Sequence, residues 1–307
     1  MTAQVQGDEG SFEEQPSSRI EEPDTRLAAS LGRTSRASAS SQFLEGASPA
    51  GKPPRIEVLL IHGLNGNPSD LAEVASVLQT HGMATTTIRL PGHGEQGCEM
   101  RPVRWQEWVR AVRTEVYRLK ERSDLVFVLG HSLGGALALY VAAQEAVTGV
   151  VALSCPLLPW LQPVVGLLRY VLPVLPTLHA DLCDPQARCH EGGELYRWAP
   201  TPTVESSLHF LWQVQAALPR VRAPALIVAG LHDHVVPAVD ACVIYHLLGS
   251  HTKQLVIFPC SAHVLLKDYD RQAVLTKTMA FILRQASRAR AQSRGGKNGQ
   301  RDTTCSF

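Results

Sequence analysis

The stretch Gly130-His131-Ser132-Leu133-Gly134-Gly135 decides the fold of this 307-residue chain. An apolar run at 124–129, typical of a buried strand, precedes it, and a small-residue run at 136–143, typical of a helix, follows. The pattern G-x-S-x-G between a strand and a helix indicates a sharp turn that exposes the serine hydroxyl at the carboxyl edge of a sheet. The two glycines of the pattern give the turn its clearance. The helix N-terminus directs N–H groups at the hydroxyl, so we predict that Ser132 is a nucleophile.

Candidate partners for Ser132 follow later strands of the same predicted sheet. A serine hydroxyl needs a base to take its proton, and that base needs a carboxylate to orient it. After a turn of this kind, the acid and then the histidine follow in chain order. Asp233 lies just past the predicted strand 224–230, and His263 lies in the loop after the predicted strand 253–258. These positions predict a Ser132–Asp233–His263 triad.

The same segments allow other interpretations. Asp233 is also a candidate helix N-cap before Pro237, although a cap role falls closer to residues 236–237. His232 and His234 compete as the base, but a base on the same short loop as its acid would not meet Ser132. With Asp233 they also form a weak candidate metal site, which lacks the separated ligand pairs of a zinc site. We therefore predict no metal and no organic cofactor.

A second loop supplies candidate donors for an oxyanion. The apolar strand 56–61 is followed by His62-Gly63-Leu64-Asn65-Gly66-Asn67. In this arrangement one backbone N–H comes from such a loop and one from the residue after the nucleophile, which predicts Leu64 and Leu133. We expect Gly63 to allow a close approach and His62 to hold the loop by a hydrogen bond. A hairpin at Asn65-Gly66 is the alternative, but a helical pattern follows at 68–78.

These motifs together resemble the α/β-hydrolases of the carboxylesterase and monoacylglycerol lipase type, related to the serine aminopeptidase-like group. The resemblance covers about residues 55–287 and is more specific for the fold and triad than for the substrate. It implies the same triad and the same two oxyanion donors. The matching segments are Leu59–Gly66, Arg89–Gly94, Trp105–Trp108, Gly130–Gly135, Asp233–Pro237 and Ser261–Val264.

The chain divides into three regions by composition. Residues 1–54 are rich in Ser, Ala, Glu and Arg, which predicts a disordered segment. Residues 55–287 are predicted to form the α/β-hydrolase domain, a mostly parallel sheet of about six strands flanked by helices. Residues 288–307 are predicted to be a basic disordered tail. The predicted strands are 56–61, 84–89, 125–130, 149–153, 224–230 and 253–258, and the predicted helices are 68–81, 102–122, 133–145, 237–248 and 270–287.

Charge and cysteine content narrow the class of protein. The net charge of +1 gives no reason to expect a nucleic-acid partner, and 45% hydrophobic residues suffice for a large core. Seven cysteines are scattered along the chain, and Cys183 and Cys189 are the closest pair and a candidate bridge. The odd total and the lack of a secretory leader pattern predict a reduced, cytoplasmic protein.

Residues 156–221 interrupt the sheet after its fourth strand, where we predict a small helical cap. Residues 156–176 are strongly apolar, but five prolines and a central Arg169 argue against a membrane span. The structural interpretation is a cap packed on the core. The functional interpretation is an apolar wall over Ser132 that binds an acyl chain and makes transient contact with a membrane surface. The candidate substrate contacts are Trp160, Leu167, Leu168 and Trp212.

The sequence thus predicts a serine hydrolase that cleaves carboxylic esters of short to medium acyl chain through an acyl-enzyme on Ser132. The predicted partner is a small ester or lipid-like substrate. One alternative is a peptidase or aminopeptidase-like amidase, for which Glu191, Glu194 and Asp181 offer only ambiguous acidic contacts. Another is an acyltransferase or a non-catalytic binding protein on the same fold, since fold alone does not settle function.

Overall fold

Six parallel strands form the central sheet, in the order β2-β1-β3-β4-β7-β8. The computed structural model describes residues 53–93, 100–158, 165, 167, 168, 170, 172–176 and 198–298. The strands of this described part are β1 Ile56–Ile61, β2 Ala84–Ile88, β3 Leu125–His131, β4 Gly149–Leu153, β5 Val174–Pro176, β6 Trp198–Pro200, β7 Ala225–Gly230 and β8 Lys253–Phe258. The prediction of a mostly parallel, six-stranded sheet is confirmed.

The register of the sheet brings the functional loops to one edge. Ile61 pairs with Gly130, and His131 pairs with Leu153, while Gly230 pairs with Phe258. Because all the pairings are parallel, the loops after β1, β3, β7 and β8 leave the sheet at the same carboxyl edge. In open α/β sheets, ligands bind outside this edge.

Helices cover both faces of the sheet. The described helices are α1 Ala72–Thr80, α2 Trp105–Arg122, α3 Leu133–Ala142, α4 Thr201–Ala217, α5 Ala238–Leu247 and α6 Arg271–Asn298. Apolar residues of α2, α3, α4 and α5 pack in one core cluster against one face, and those of α1 and α6 pack in a second cluster against the other. Successive residues of each central strand alternate between these clusters, which explains their uninterrupted apolar runs.

Helix α3 lies in the most enclosed position. Nine of its ten residues are buried, and its sequence is correspondingly small and apolar on every side. A helix that is apolar all round is typical of the interior of a larger protein. This burial holds the N-terminus of α3, and therefore the turn at Ser132, in a rigid setting.

The insertion after β4 contains, in addition to helical structure, a short pair of strands that the sequence did not predict. Besides α4, its described residues include an antiparallel pair, in which Val174 faces Pro200 and Leu175 faces Ala199. Each of these strands has only three residues and contains a proline, so neither shows the alternation that identifies a strand in sequence. The described part of the insertion therefore contains both a short antiparallel strand pair and a long helix.

The C-terminal boundary also differs from the prediction. Helix α6 continues to Asn298, whereas the sequence predicts a disordered tail from residue 288. Arg, Gln and Ala are good helix formers, so the polar composition of this segment is compatible with a helix. Residues 288–292 of the helix are exposed or half-buried. No helix of the described residues is both long enough and apolar enough to cross a membrane.

Several predictions fall outside the described residues. They are the disordered segment up to residue 52, the last nine residues of the tail, Trp160 and the Cys183–Cys189 pair. Of the described cysteines, Cys155 is buried, Cys242 is half-buried and Cys260 is exposed, and all three are free thiols.

Candidate active site

The turn at Ser132 has the strained geometry that its motif predicts. Ser132 adopts φ 54° and ψ −123°, a conformation that L-residues rarely take, directly before α3. A Cβ at Gly130 would lie 2.0 Å from the carbonyl oxygen of Gly134, and one at Gly134 would lie 2.2 Å from that of Ile61. Both positions therefore exclude any side chain. The surrounding strands hold the strain in place, as the Ser132 N–H donates to the Leu153 carbonyl at 2.8 Å.

The structure brings Ser132, His263 and Asp233 into one hydrogen-bonded chain. His263 Nδ1 lies 2.8 Å from Asp233 Oδ2, and His263 Nε2 lies 3.1 Å from Ser132 Oγ. Because a carboxylate only accepts, Nδ1 carries the proton and Nε2 accepts from the serine hydroxyl. The Asp233 side chain is fully buried and that of His263 is 10% exposed. This arrangement can take a proton from Ser132 and stabilise the resulting imidazolium.

Asp233 uses its other oxygen to shape its own loop. Oδ1 accepts from the N–H groups of Val235 at 2.9 Å and Val236 at 2.6 Å. The alternative interpretation of Asp233 as a helix N-cap is wrong, because the N-cap of α5 is Pro237 and no side chain caps it. The Asp233 carboxylate instead closes the turn before α5 with one oxygen and contacts His263 with the other. His232 and His234 are exposed on either side of it, and His263 makes the hydrogen bond to Ser132.

Two side chains hold the backbone of His263, and the sequence analysis assigned neither of them. His131 Nε2 lies 3.0 Å from the His263 carbonyl oxygen, and Ser154 Oγ donates to the same oxygen at 2.8 Å. His131 belongs to the nucleophile turn and Ser154 follows β4 with φ 46°. The position of Ser154 at a strand end was the one available signal. Together these donors join the loop of the base to two neighbouring strand ends.

His131, the residue before Ser132, is a neutral hydrogen-bond donor. Burial, with a smaller contribution from His263, lowers the pKa of His131 to about 4. Its Nε2–H donates to the His263 carbonyl, because that oxygen can only accept. The two imidazole rings lie 5.0 Å apart between centroids. A neutral His131 therefore supports the base without adding a competing charge.

The candidate oxyanion loop lies against Ser132. A Cβ at Gly63 would sit 3.2 Å from the Ser132 Cβ, so this glycine permits the close approach that the sequence predicts. Within the described part of the chain, the N–H groups of Leu64 and Leu133 donate no hydrogen bond to another protein group. Donors left free in this way suit a developing negative charge on a carbonyl oxygen.

Two buried histidines fix the shape of this loop. His62 Nε2 accepts from the Leu90 N–H at 3.2 Å, so its Nδ1–H donates to the Gly63 carbonyl at 2.8 Å. His93 Nε2–H donates to the Leu64 carbonyl, and the two rings meet edge to face at 4.7 Å. Burial lowers the pKa of His62 to about 4 and also lowers the pKa of His93. The structural role predicted for His62 is confirmed, and His93 extends it.

The described candidate substrate contacts are exposed or half-buried side chains, unlike the buried side chains of Asp233 and His263. Leu167 is 73% exposed and Trp212 is 50% exposed, while Leu168 is half-buried. Exposed apolar side chains on the insertion agree with a surface that meets an apolar ligand. Their contact with substrate stays a prediction.

The comparisons with known proteins agree with this geometry. The family model described as "Serine aminopeptidase, S33" matches residues 52–270. The thermostable monoacylglycerol lipase of Bacillus sp. strain H-257 is 31% identical over 238 residues, covering 75% of this chain and 92% of the relative. The carboxylesterase of Bacillus subtilis is 24% identical over 228 residues, covering 73% of this chain and 91% of the relative.

A solved structure supports the same assignment. It was reported for metagenome-derived lipolytic enzymes, and it superposes with a TM-score of 0.68 at 30% identity, covering 76% of this chain and 95% of its own. The match of the family model to most of the described domain and the identity with the Bacillus lipase carry the conclusion. This chain belongs to the serine aminopeptidase S33 family and is an α/β-hydrolase of the monoacylglycerol lipase and carboxylesterase type.

Proposed function

We propose that this hydrolase is a serine carboxylic ester hydrolase that acts on esters of short to medium acyl chain. The observation that carries the proposal is the continuous chain of hydrogen bonds from Ser132 Oγ through His263 to Asp233. The similarity to a monoacylglycerol lipase and a carboxylesterase supports esters as the substrate class.

In the proposed mechanism, His263 Nε2 takes the hydroxyl proton while Ser132 Oγ attacks the ester carbonyl carbon. The N–H groups of Leu64 and Leu133 receive the oxyanion of the tetrahedral intermediate. His263 then passes its proton to the leaving alcohol, and the acyl group stays on Ser132. Water, deprotonated by His263, attacks this acyl-enzyme and releases the acid. Asp233 orients the imidazole and stabilises its cationic form throughout.

We also propose that the insertion supplies the acyl site and the contact with lipid aggregates. Trp160, Leu167, Leu168 and Trp212 are the proposed lining. Tyr170 is 73% exposed, and Leu172 and Val174 are each more than 40% exposed in the same described part of the insertion. A cluster of exposed apolar side chains lowers its free energy by entering an apolar surface.

The decisive experiment compares the wild type with Ser132→Ala, with Ser287→Ala as a control serine on the exposed face of α6. We expect the wild type and the control to react with a fluorophosphonate probe and to hydrolyse p-nitrophenyl esters. Ser132→Ala should lose the labelling and retain only about one part in 10⁴ to 10⁶ of the turnover. Near-normal turnover in folded Ser132→Ala protein would refute the assignment of the nucleophile.

The same proteins distinguish the ester from the amide alternative. Aminoacyl p-nitroanilides and p-nitrophenyl esters would be compared by kcat/KM on one preparation. We expect the esters to be the better substrates by several orders of magnitude. A preference for aminoacyl amides would instead support a peptidase that uses the same three residues.

A further inference from the structure

One buried carboxylate near the site has no part in the mechanism above. Asp240 lies in the first turn of α5 and is 3% exposed. Its Oδ2 accepts from the N–H of Leu157 at 2.7 Å and from that of Leu158 at 3.1 Å. These two residues lie just past the end of β4, where the chain leaves the sheet to begin the insertion. A single side chain therefore ties the root of the insertion to α5.

Only one of the two carboxylate oxygens of Asp240 accepts hydrogen bonds from described residues. Its other oxygen, Oδ1, is buried and has no hydrogen-bond partner among the described residues. Burial raises the pKa of Asp240 above its usual range, with a further contribution from Asp233. A buried carboxylate with unfilled acceptor sites is unfavourable for stability alone. The residue is thus poorly explained as a contribution to core stability.

The place of Asp240 relative to the triad suggests what it does. Only six residues separate it from Asp233, and Asp233 itself bonds Val235 and Val236 in the intervening turn. The triad acid and the anchor of the insertion therefore belong to one short, bonded segment. Leu157 and Leu158 are bonded to this segment through Asp240 and make none of the hydrogen bonds that join Ser132, His263 and Asp233.

We propose that Asp240 is a positioning residue that holds the root of the insertion, Leu157 and Leu158, beside the active site and thereby sets acyl-chain selectivity. The proposal rests on the proposed ester hydrolase function, because the acyl chain is what the seated insertion would contact. Asp240 does not touch the reacting atoms. Its effect should therefore appear in the discrimination between long and short acyl groups, while turnover of the shortest ester is preserved.

The test uses Asp240→Ala and Asp240→Asn in the full-length protein. Asparagine keeps a side-chain oxygen that can accept from both amides, whereas alanine removes it. The control is Asp124→Ala, since Asp124 Oδ2 accepts from the Arg55 N–H at 2.7 Å at the other end of the sheet. The first readout is kcat/KM for acetyl and octanoyl esters.

We expect Asp240→Ala to lower the octanoyl-to-acetyl ratio about tenfold or more, the size typical for lost hydrogen bonds to a charged acceptor. Acetyl-ester turnover should stay within about threefold, which is below the effect of one ordinary hydrogen bond. Asp240→Asn and Asp124→Ala should keep the wild-type ratio. An equal loss on both esters, an unchanged ratio in Asp240→Ala, or an alanine-like result in Asp240→Asn would overturn the proposal.

A second readout is independent of activity. Amide hydrogen exchange at Leu157 and Leu158 should speed up in Asp240→Ala and stay slow in Asp240→Asn and Asp124→Ala. If the wild type hydrolysed no ester, the proposed function would fail while the exchange data still tested the anchor. Unchanged exchange in Asp240→Ala would refute the anchor even in an active esterase.

Discussion

At the scale of single residues, the geometry of the site depends on the groups that hold His263 in position. The His263 carbonyl accepts from both His131 and Ser154, and its imidazole reaches Ser132 on one side and Asp233 on the other. Four contacts from the ends of three strands, β3, β4 and β7, converge on this one residue. A base held in this way loses little orientational freedom when it meets substrate, which favours the chemical step over binding.

We predict that Ser154→Ala lowers kcat while KM stays near the wild-type value. The lost hydrogen bond is worth about 1 kcal/mol, so turnover should fall about fivefold. Ser250→Ala is the matched control, because Ser250 is also buried and its Oγ donates to a backbone carbonyl, that of Thr252, at 3.0 Å. Steady-state kinetics of both variants would check the effect. A rise in KM without a change in kcat would show that Ser154 acts on binding instead.

At the scale of elements, the sheet edge and the insertion have different tasks. The loops after β1, β3, β7 and β8 carry the proposed chemistry, and the register of the sheet sets their distances. The insertion carries several exposed apolar side chains, including Leu167 and Trp212, and contains none of the residues Ser132, Asp233 and His263. Substrate selectivity and chemistry should therefore be separable by mutation.

We predict that replacing both Leu167 and Leu168 with serine flattens the dependence of kcat/KM on acyl length. In the wild type, each methylene buried against the insertion should contribute up to about 0.8 kcal/mol, so kcat/KM should rise from acetyl to octanoyl esters. The double variant should keep acetyl-ester turnover, since the triad is untouched. The control is Leu283→Ser, because Leu283 lies on α6, outside the insertion, and is 40% exposed. Equal wild-type specificity for acetyl and octanoyl esters would argue against an acyl-binding insertion.

At the scale of the whole molecule, buried neutral histidines link stability to pH. His62 is fully buried, and burial lowers its pKa to about 4. In the unfolded chain a histidine binds its proton near pH 6.5. Between these values the unfolded state binds more protons than the folded state, so stability falls as the pH falls. His131 acts in the same direction.

We predict that the titration of His62 by itself lowers the free energy of unfolding by about 2 kcal/mol when the pH falls from 7 to 5. Urea unfolding of the wild type and of His62→Gln at both pH values would measure this. The variant should lose less stability on acidification, whatever its stability at pH 7. His251→Gln, at an exposed histidine, should behave like the wild type. An identical pH dependence in the wild type and His62→Gln would contradict the assignment of a buried, neutral His62.

The sequence by itself determined the elements with strong local patterns. The apolar strands, the glycine-flanked Ser132 and the strand-end positions of Asp233 and His263 follow from periodicity and from backbone sterics, which act within a few residues. These rules were enough to predict the six-stranded sheet. They also predicted which side chains the structure would join by hydrogen bonds.

Only the tertiary structure decided the contacts between distant segments. The hydrogen bonds from His131 and Ser154 to His263, and those from Leu157 and Leu158 to Asp240, span 82 to 132 positions of sequence and leave no local pattern. The pair β5–β6 and the length of α6 were missed for a related reason. Short proline-containing strands form only because a partner strand is present, and a polar helix end looks like a disordered tail when composition alone is considered. Local sequence therefore predicted which residues do the proposed chemistry, while packing decided which residues hold them in place.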